Sequence, residues 1–205
     1  MYFHSVHGKN IQLSTDSSQA RRINSFCQGI TFSNSPLTQL QRVTFLVGCD
    51  SSIISSYKPD NFPSTNLGNI NNYNTKIGHK HSSKKNFWNS YLRIGLTTIN
   101  PITLTLSDLP EFSYPTLLNT EGFWITPIKS SYLKHGNKIS IVLDNNNSLQ
   151  LAVNYVVKAK LFSDMIPSSQ STKLWLILDL YGNTNLVQFL PSGMQIIYTY
   201  IFFIF

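Results

Sequence analysis

The chain has 205 residues, of which 41% are apolar and 12% charged, with a formal net charge of +7. That is the length of one domain with enough apolar side chain for a sizeable core, which excludes an intrinsically disordered chain. Lys58, Lys76, Lys80, Lys84 and Lys85 fall between Ser51 and Asn86 against a single acid there, Asp60. The basic balance is therefore mostly the property of one loop, not the ordered basic stripe of a nucleic-acid reader, and no nucleic-acid partner is expected.

In chain order, Phe3 onward reads as a strand, and His7-Gly8-Lys9-Asn10 turns the chain into Ile11-Gln12-Leu13. Thr15-Asp16-Ser17-Ser18 is a second turn, before a strand over Gln19–Ile23. Ser25–Leu37 (SFCQGITFSNSPL) alternates aromatic and small polar residues and ends in the turn Asn34-Ser35-Pro36. Arg42–Val47 is the next strand. Residues 51–86, rich in Asn, Ser and Lys without a sustained period, read as a disordered insert, which a sandwich tolerates because loop-closure cost grows slowly with length.

Trp88–Thr97 follows, then Gly122-Phe123-Trp124, then a short helical turn near Lys129–His135. The clearest hairpin is Lys138–Tyr155: Ile139, Ile141 and Leu143 alternate on one arm, Leu149, Leu151, Val153 and Tyr155 on the other. Asp144-Asn145-Asn146-Asn147 joins them, residue types that tolerate left-handed backbone. Leu174–Leu180 is almost continuously apolar, so both its faces are expected to be covered, and Tyr181-Gly182-Asn183-Thr184 turns the chain into Leu186–Leu190. No capped helix of ordinary length is predicted. The fold class is all-β, an antiparallel sandwich or jelly roll.

The last segment, Met194–Phe205 (MQIIYTYIFFIF), is apolar over twelve residues, short of the ~20 that span a bilayer. It reads as an edge strand, the start of a truncated span or a non-native end. The domain expected is 1–192, with 193–205 as an apolar tail. Two cysteines, Cys27 and Cys49, make no disulfide framework. With a strand pattern starting almost at Met1, a reducing, cytoplasmic setting is expected and a membrane location is not.

Catalytic chemistry finds little footing. Glu111 and Glu121 are the only glutamates, and no nucleophile elbow or phosphate-cradling glycine loop is present. His79 and His81 lie in the insert without further ligands nearby, and His4 and His7 read as structural. No catalytic residue, cofactor or metal is expected. Binding residues on a sandwich concentrate in loops at its ends, which nominates Asn34, Ser35, Asn89, Asn183 and Thr184, each of which also suits plain turn chemistry. Trp88 and Trp124 flank loops and serve either as core or as recognition aromatics, Tyr181 is a further large anchor, and Trp175 reads as core. Arg93, inside an apolar strand, needs a carboxylate partner, and Asp179 is the candidate.

These blocks together resemble the Neuralized homology repeat. Phe3-His4-Ser5-Val6-His7-Gly8 resembles its F-H-x-x-x-G opening. Ser25–Pro36 resembles S-F-C-x-x-I-T-F-S-N-R-P, and Trp88–Thr97 resembles W-x-G-x-L-R-x-G-x-T. Leu109-Pro110 with Pro115-Thr116-Leu117, and Trp175–Leu190, match its later motifs in order, and the likeness spans about residues 3–190. Ser35 stands where the family has Arg, Ser90 where it has Gly, Asn100 and Thr116 where it has Asp.

The resemblance implies a SPRY-like sandwich that binds a protein substrate as the recognition adaptor of an E3 ubiquitin ligase. The FHSVHGKN and LPEFS wording is most similar to the branch that joins one repeat to a SOCS box and works with cullin–Elongin machinery. Two cysteines are too few for a RING, and no SOCS-box-like helix follows residue 190. The alternatives are a stand-alone scaffold, a lectin-like binder and a tail-anchored protein.

Overall fold

The computed structural model describes residues 1–48, 90–163, 165, 166 and 172–191. The predicted insert, Cys49, Trp88, Asn89 and the apolar tail lie outside the described residues. Twelve strands form among those described: β1 (Phe3–His7), β2 (Ile11–Leu13), β3 (Gln19–Arg22), β4 (Ile30–Ser33), β5 (Arg42–Gly48), β6 (Ser90–Thr97), β7 (Phe123–Pro127), β8 (Lys138–Leu143), β9 (Leu149–Val153), β10 (Val156–Leu161), β11 (Trp175–Gly182) and β12 (Leu186–Phe189). They build a five-stranded sheet in the order β1-β4-β11-β6-β7 and a seven-stranded sheet in the order β10-β9-β8-β5-β12-β3-β2, with antiparallel pairing throughout.

Alternation decides which side chains meet. On β6 and β11, Leu92, Ile94, Leu96, Leu176, Leu178 and Leu180 face inward and pack against Phe45, Ile139, Ile141, Leu151 and Phe189 of the other sheet. Phe189 lies between Phe3 (ring centroids 4.4 Å apart) and Phe45 (6.2 Å, edge-on). Each such fully buried side chain stabilises the fold by about 1.5–3 kcal/mol. This is the sandwich the alternation predicts.

The opposite face of β11 is covered too, as its unbroken apolar run requires. Ile177 joins Ile30, Phe32 and Ile125 in a second cluster, closed by Leu109 and Leu117. Those two belong to a segment that crosses the outer face of the five-stranded sheet in short helical turns at Pro101–Thr103, Leu106–Asp108, Ser113–Thr116 and Leu117–Asn119.

Three elements differ from the sequence reading. β9 ends at Val153, so Tyr155 is not a strand residue. Asn154 (φ 48°) and Tyr155 (φ 70°) form a two-residue left-handed turn into β10. Asn154 stabilises it by accepting the Lys138 N–H at 2.9 Å, whereas the apolar alternation ran on through Tyr155 without marking the turn. β10 itself was not predicted, because Val-Val-Lys-Ala-Lys lacks a clean period of two. The helical turn expected near Lys129–His135 is a single turn over Ser130–Tyr132. At the other hairpin, Asn147 adopts φ 57°, the left-handed backbone its residue type suggests.

Two glycines set how closely the loops approach. A Cβ on Gly8 would lie 2.1 Å from the Gln28 carbonyl oxygen, and one on Gly29 would lie 2.4 Å from that of Leu180. The loop between β3 and β4 is thereby pressed against both the β1–β2 turn and the end of β11.

Candidate functional site

That pressed loop, the end of β11 and the covering segment converge at one end of the five-stranded sheet. The register of β6 and β11 sets Arg93 directly opposite Asp179 on the outer face. Their side chains pair at 2.8 Å, with Asp179 only 2% exposed. The Ser113 hydroxyl donates to the same carboxylate oxygen, tying the covering segment to the sheet. A buried charge is tolerated only when paired and hydrogen-bonded, and here both conditions hold.

Aromatic rings stack above this pair. The Arg93 guanidinium lies 4.6 Å from the Tyr181 ring centre and 5.9 Å from that of Tyr114. Tyr181 meets Phe26 at 5.7 Å on one side and Phe112 at 6.4 Å on the other. Arg22 covers Phe26 at 4.5 Å and donates to the carbonyls of Ser25 and Gly182. Tyr181 and Phe26 are half-buried and Phe112 is 39% exposed. The result is a partly exposed run of three rings backed by two guanidinium groups, the residue types that anchor protein interfaces.

The backbone beneath is held from several sides. The buried Asn10 side chain donates to the Ser25 hydroxyl at 2.8 Å and the Cys27 carbonyl at 2.7 Å. The Gln28 N–H donates to the Glu111 carbonyl at 2.7 Å, and the Gln28 side chain to that of Leu109. The loop carrying Phe26 and the segment carrying Phe112 are thus bonded to each other as well as to the sheet.

The residues nominated from sequence do not converge. Tyr181 sits at the centre of the aromatic run, and Asn183, half-buried, lies in the turn after it. Thr184 is 2% exposed, so it packs inside that turn and offers no surface for contact. Asn34 and Ser35 are exposed, but Leu37 anchors their loop to Leu174, the residue before β11. That places them about 20 Å, six strand residues, from Tyr181. Trp124 stands opposite Leu96 and packs its half-buried ring against the main core. Trp88 and Asn89 fall outside the described residues. Trp175 is buried, as read, and the Arg93–Asp179 pair forms as proposed.

Sequence reading missed Phe26, Phe112, Tyr114, Arg22 and Asn10. Each lies in or beside a loop, where periodicity carries no information about which loops meet. The one usable signal was aromatic residues standing alone among turn formers. Among the described residues no group of three His, Cys, Asp or Glu is placed to hold a metal ion. What the site offers is contact area, rigid rings and buried cationic support.

The fold is an antiparallel β-sandwich of the SPRY-like kind, with a partly exposed aromatic surface at one end. The Neuralized family model matches residues 3–51 and 73–191, and the chain belongs to that family. Protein neuralized of Drosophila melanogaster is 29% identical over 192 residues, covering 94% of this chain and 20% of that protein. Neuralized-like protein 2 of Homo sapiens is 29% identical over 137 residues, covering 67% of this chain and 34% of that protein. E3 ubiquitin-protein ligase NEURL1B of Homo sapiens is 23% identical over 192 residues, 93% of this chain and 28% of that one. The chain therefore spans about a fifth to a third of these relatives' length. The crystal structure of the Drosophila melanogaster neuralized-nhr1 domain superposes with a TM-score of 0.69 at 27% identity, covering 93% of this chain and 97% of that one. The SPRY domain of human HERC1 shares the fold at TM-score 0.54 and 11% identity, over 94% of this chain and 99% of that one.

Proposed function

We propose that this chain is the substrate-recognition part of an E3 ubiquitin ligase and that it grips its protein substrate on the Phe26–Tyr181–Phe112 surface. The observation that carries the reading is this run of half-exposed rings, supported from below by Arg22 and Arg93 and cross-bonded so that little order is lost on binding. Kinship with proteins named E3 ubiquitin ligases supports a setting in ubiquitination. On this reading the chain is itself non-catalytic and works in the cytoplasm. The ubiquitin-transferring machinery, cullin–Elongin or a RING, is supplied by other sequence or by a partner.

The test is site-specific photo-crosslinking in cells, with a photoreactive phenylalanine in place of Phe112 and, as a control, in place of Gln12, exposed on β2 of the other sheet. The expected result is a recurrent protein crosslinked from position 112 whose ubiquitination falls when the chain is depleted. Equal crosslinking from both positions would contradict the reading.

A further inference from the structure

Each sheet ends in strands with one free edge. Among the described strands these are β1 and β7 of one sheet and β10 and β2 of the other. Three of them are blunted. β2 has three residues. β7 ends in Pro127 and packs against the Leu117–Asn119 turn. β1 has the Pro101–Thr103 turn beside it.

β10 is different. It is the longest of the four at six residues, and its Val156 and Val157 are each 55% exposed. A free row of backbone donors and acceptors flanked by exposed valines is a template for another strand. The charge says what kind of strand. Residues 154–161 contain Lys158 and Lys160 and no carboxylate. A second copy pairing antiparallel on this edge would bring four lysines into one short ladder, which like-charge repulsion disfavours. Lys160 is engaged by Asp144 at 3.0 Å. Lys158, at the bulge between Val157 and Ala159, is exposed on the edge. Lys138, 3.1 Å from the Tyr155 hydroxyl, adds positive charge at the turn.

We propose that the free edge of β10 docks an extended, acidic strand of a partner protein, which joins the seven-stranded sheet as an eighth strand. The backbone ladder holds the segment, Val156 on the core-facing side covers its apolar side chains, and Lys158 on the other side pairs with a carboxylate. The same lysines that disfavour self-pairing thus select the partner. This surface lies on the sheet opposite the aromatic run and does not depend on it.

The test titrates the isotope-labelled full chain with a synthetic eight-residue peptide alternating valine and glutamate, read by amide chemical shifts. Shifts confined to residues 154–161 and their β9 partners are expected. A peptide with proline at alternate positions should produce none, because it cannot complete the ladder. Lys158→Glu, at an exposed position, should weaken binding about five-fold. Absence of shifts on β10, equal binding of the proline peptide, or unchanged affinity of Lys158→Glu would overturn the proposal. So would a dimer by sedimentation whose 154–161 amides are already protected without peptide, since the occupant would then be a second copy.

Discussion

Removing the Asp179 carboxylate would strand Arg93 beneath Tyr181 and Tyr114 and release Ser113 from the sheet. Asp179→Ala is therefore expected to cost about 3–5 kcal/mol in urea unfolding, the range for breaking one half of a buried pair. A loss under 1 kcal/mol would show that the pair carries no such weight. Phe112 makes a contrast. Phe112 is 39% exposed, so Phe112→Ala should change stability by under about 1 kcal/mol yet weaken substrate binding by about 2 kcal/mol, roughly thirty-fold. At this scale the sequence is legible where a charge interrupts an apolar strand. Arg93 and Asp179 each sit in such a run, and a buried charge has few ways to be satisfied. It is illegible at Trp124: an aromatic beside a loop reads the same whether its ring turns to the core or to solvent, and here the pairing opposite Leu96 turns it inward.

Two elements show how local chemistry sets larger geometry. Gly8 lies against a backbone carbonyl that cannot swing aside as a side chain would. Gly8→Ala should cost about 2 kcal/mol, lowering the melting temperature by roughly 4–8 °C in a chain of this size, and should displace the loop that carries Phe26. The β8–β9 turn is held by Asp144. Burial raises its carboxyl, but the Lys160 ammonium and the N–H groups of Ser148 and Asn146 outweigh that and hold it below the usual 3.8. A depressed folded value means the unfolded chain binds the proton first. The contribution is then present above the ordinary carboxylate range and lost as pH falls through the folded value. Asp144→Asn should therefore flatten the acid limb of the unfolding midpoint between about pH 5 and about pH 2 while leaving its slope near neutrality unchanged. An unaltered acid limb would contradict this. The turn was legible from its run of Asn residues. The next turn was not, since Tyr155 is an unexpected occupant of left-handed backbone and only its hydrogen-bonded neighbours explain it.

At the scale of the molecule, the double burial of β11 organises everything else. Leu176, Leu178 and Leu180 hold the two sheets together, Ile177 holds the covering segment, and the strand delivers Tyr181 to the place where three separate loops meet. The sandwich and its central strand were readable from alternation and from one unbroken apolar run. The meeting of residues 26, 112 and 181 was not, because it depends on strand order within a sheet, and strand order leaves no periodic trace.

The most direct measurement compares ubiquitin-remnant profiles of cells that lack this chain and are complemented with either the native sequence or a Phe112→Ala/Tyr181→Ala variant of matched abundance. A small set of proteins is expected to lose ubiquitination equally in the variant and in the uncomplemented cells. Identical profiles for the native chain and the variant would contradict it.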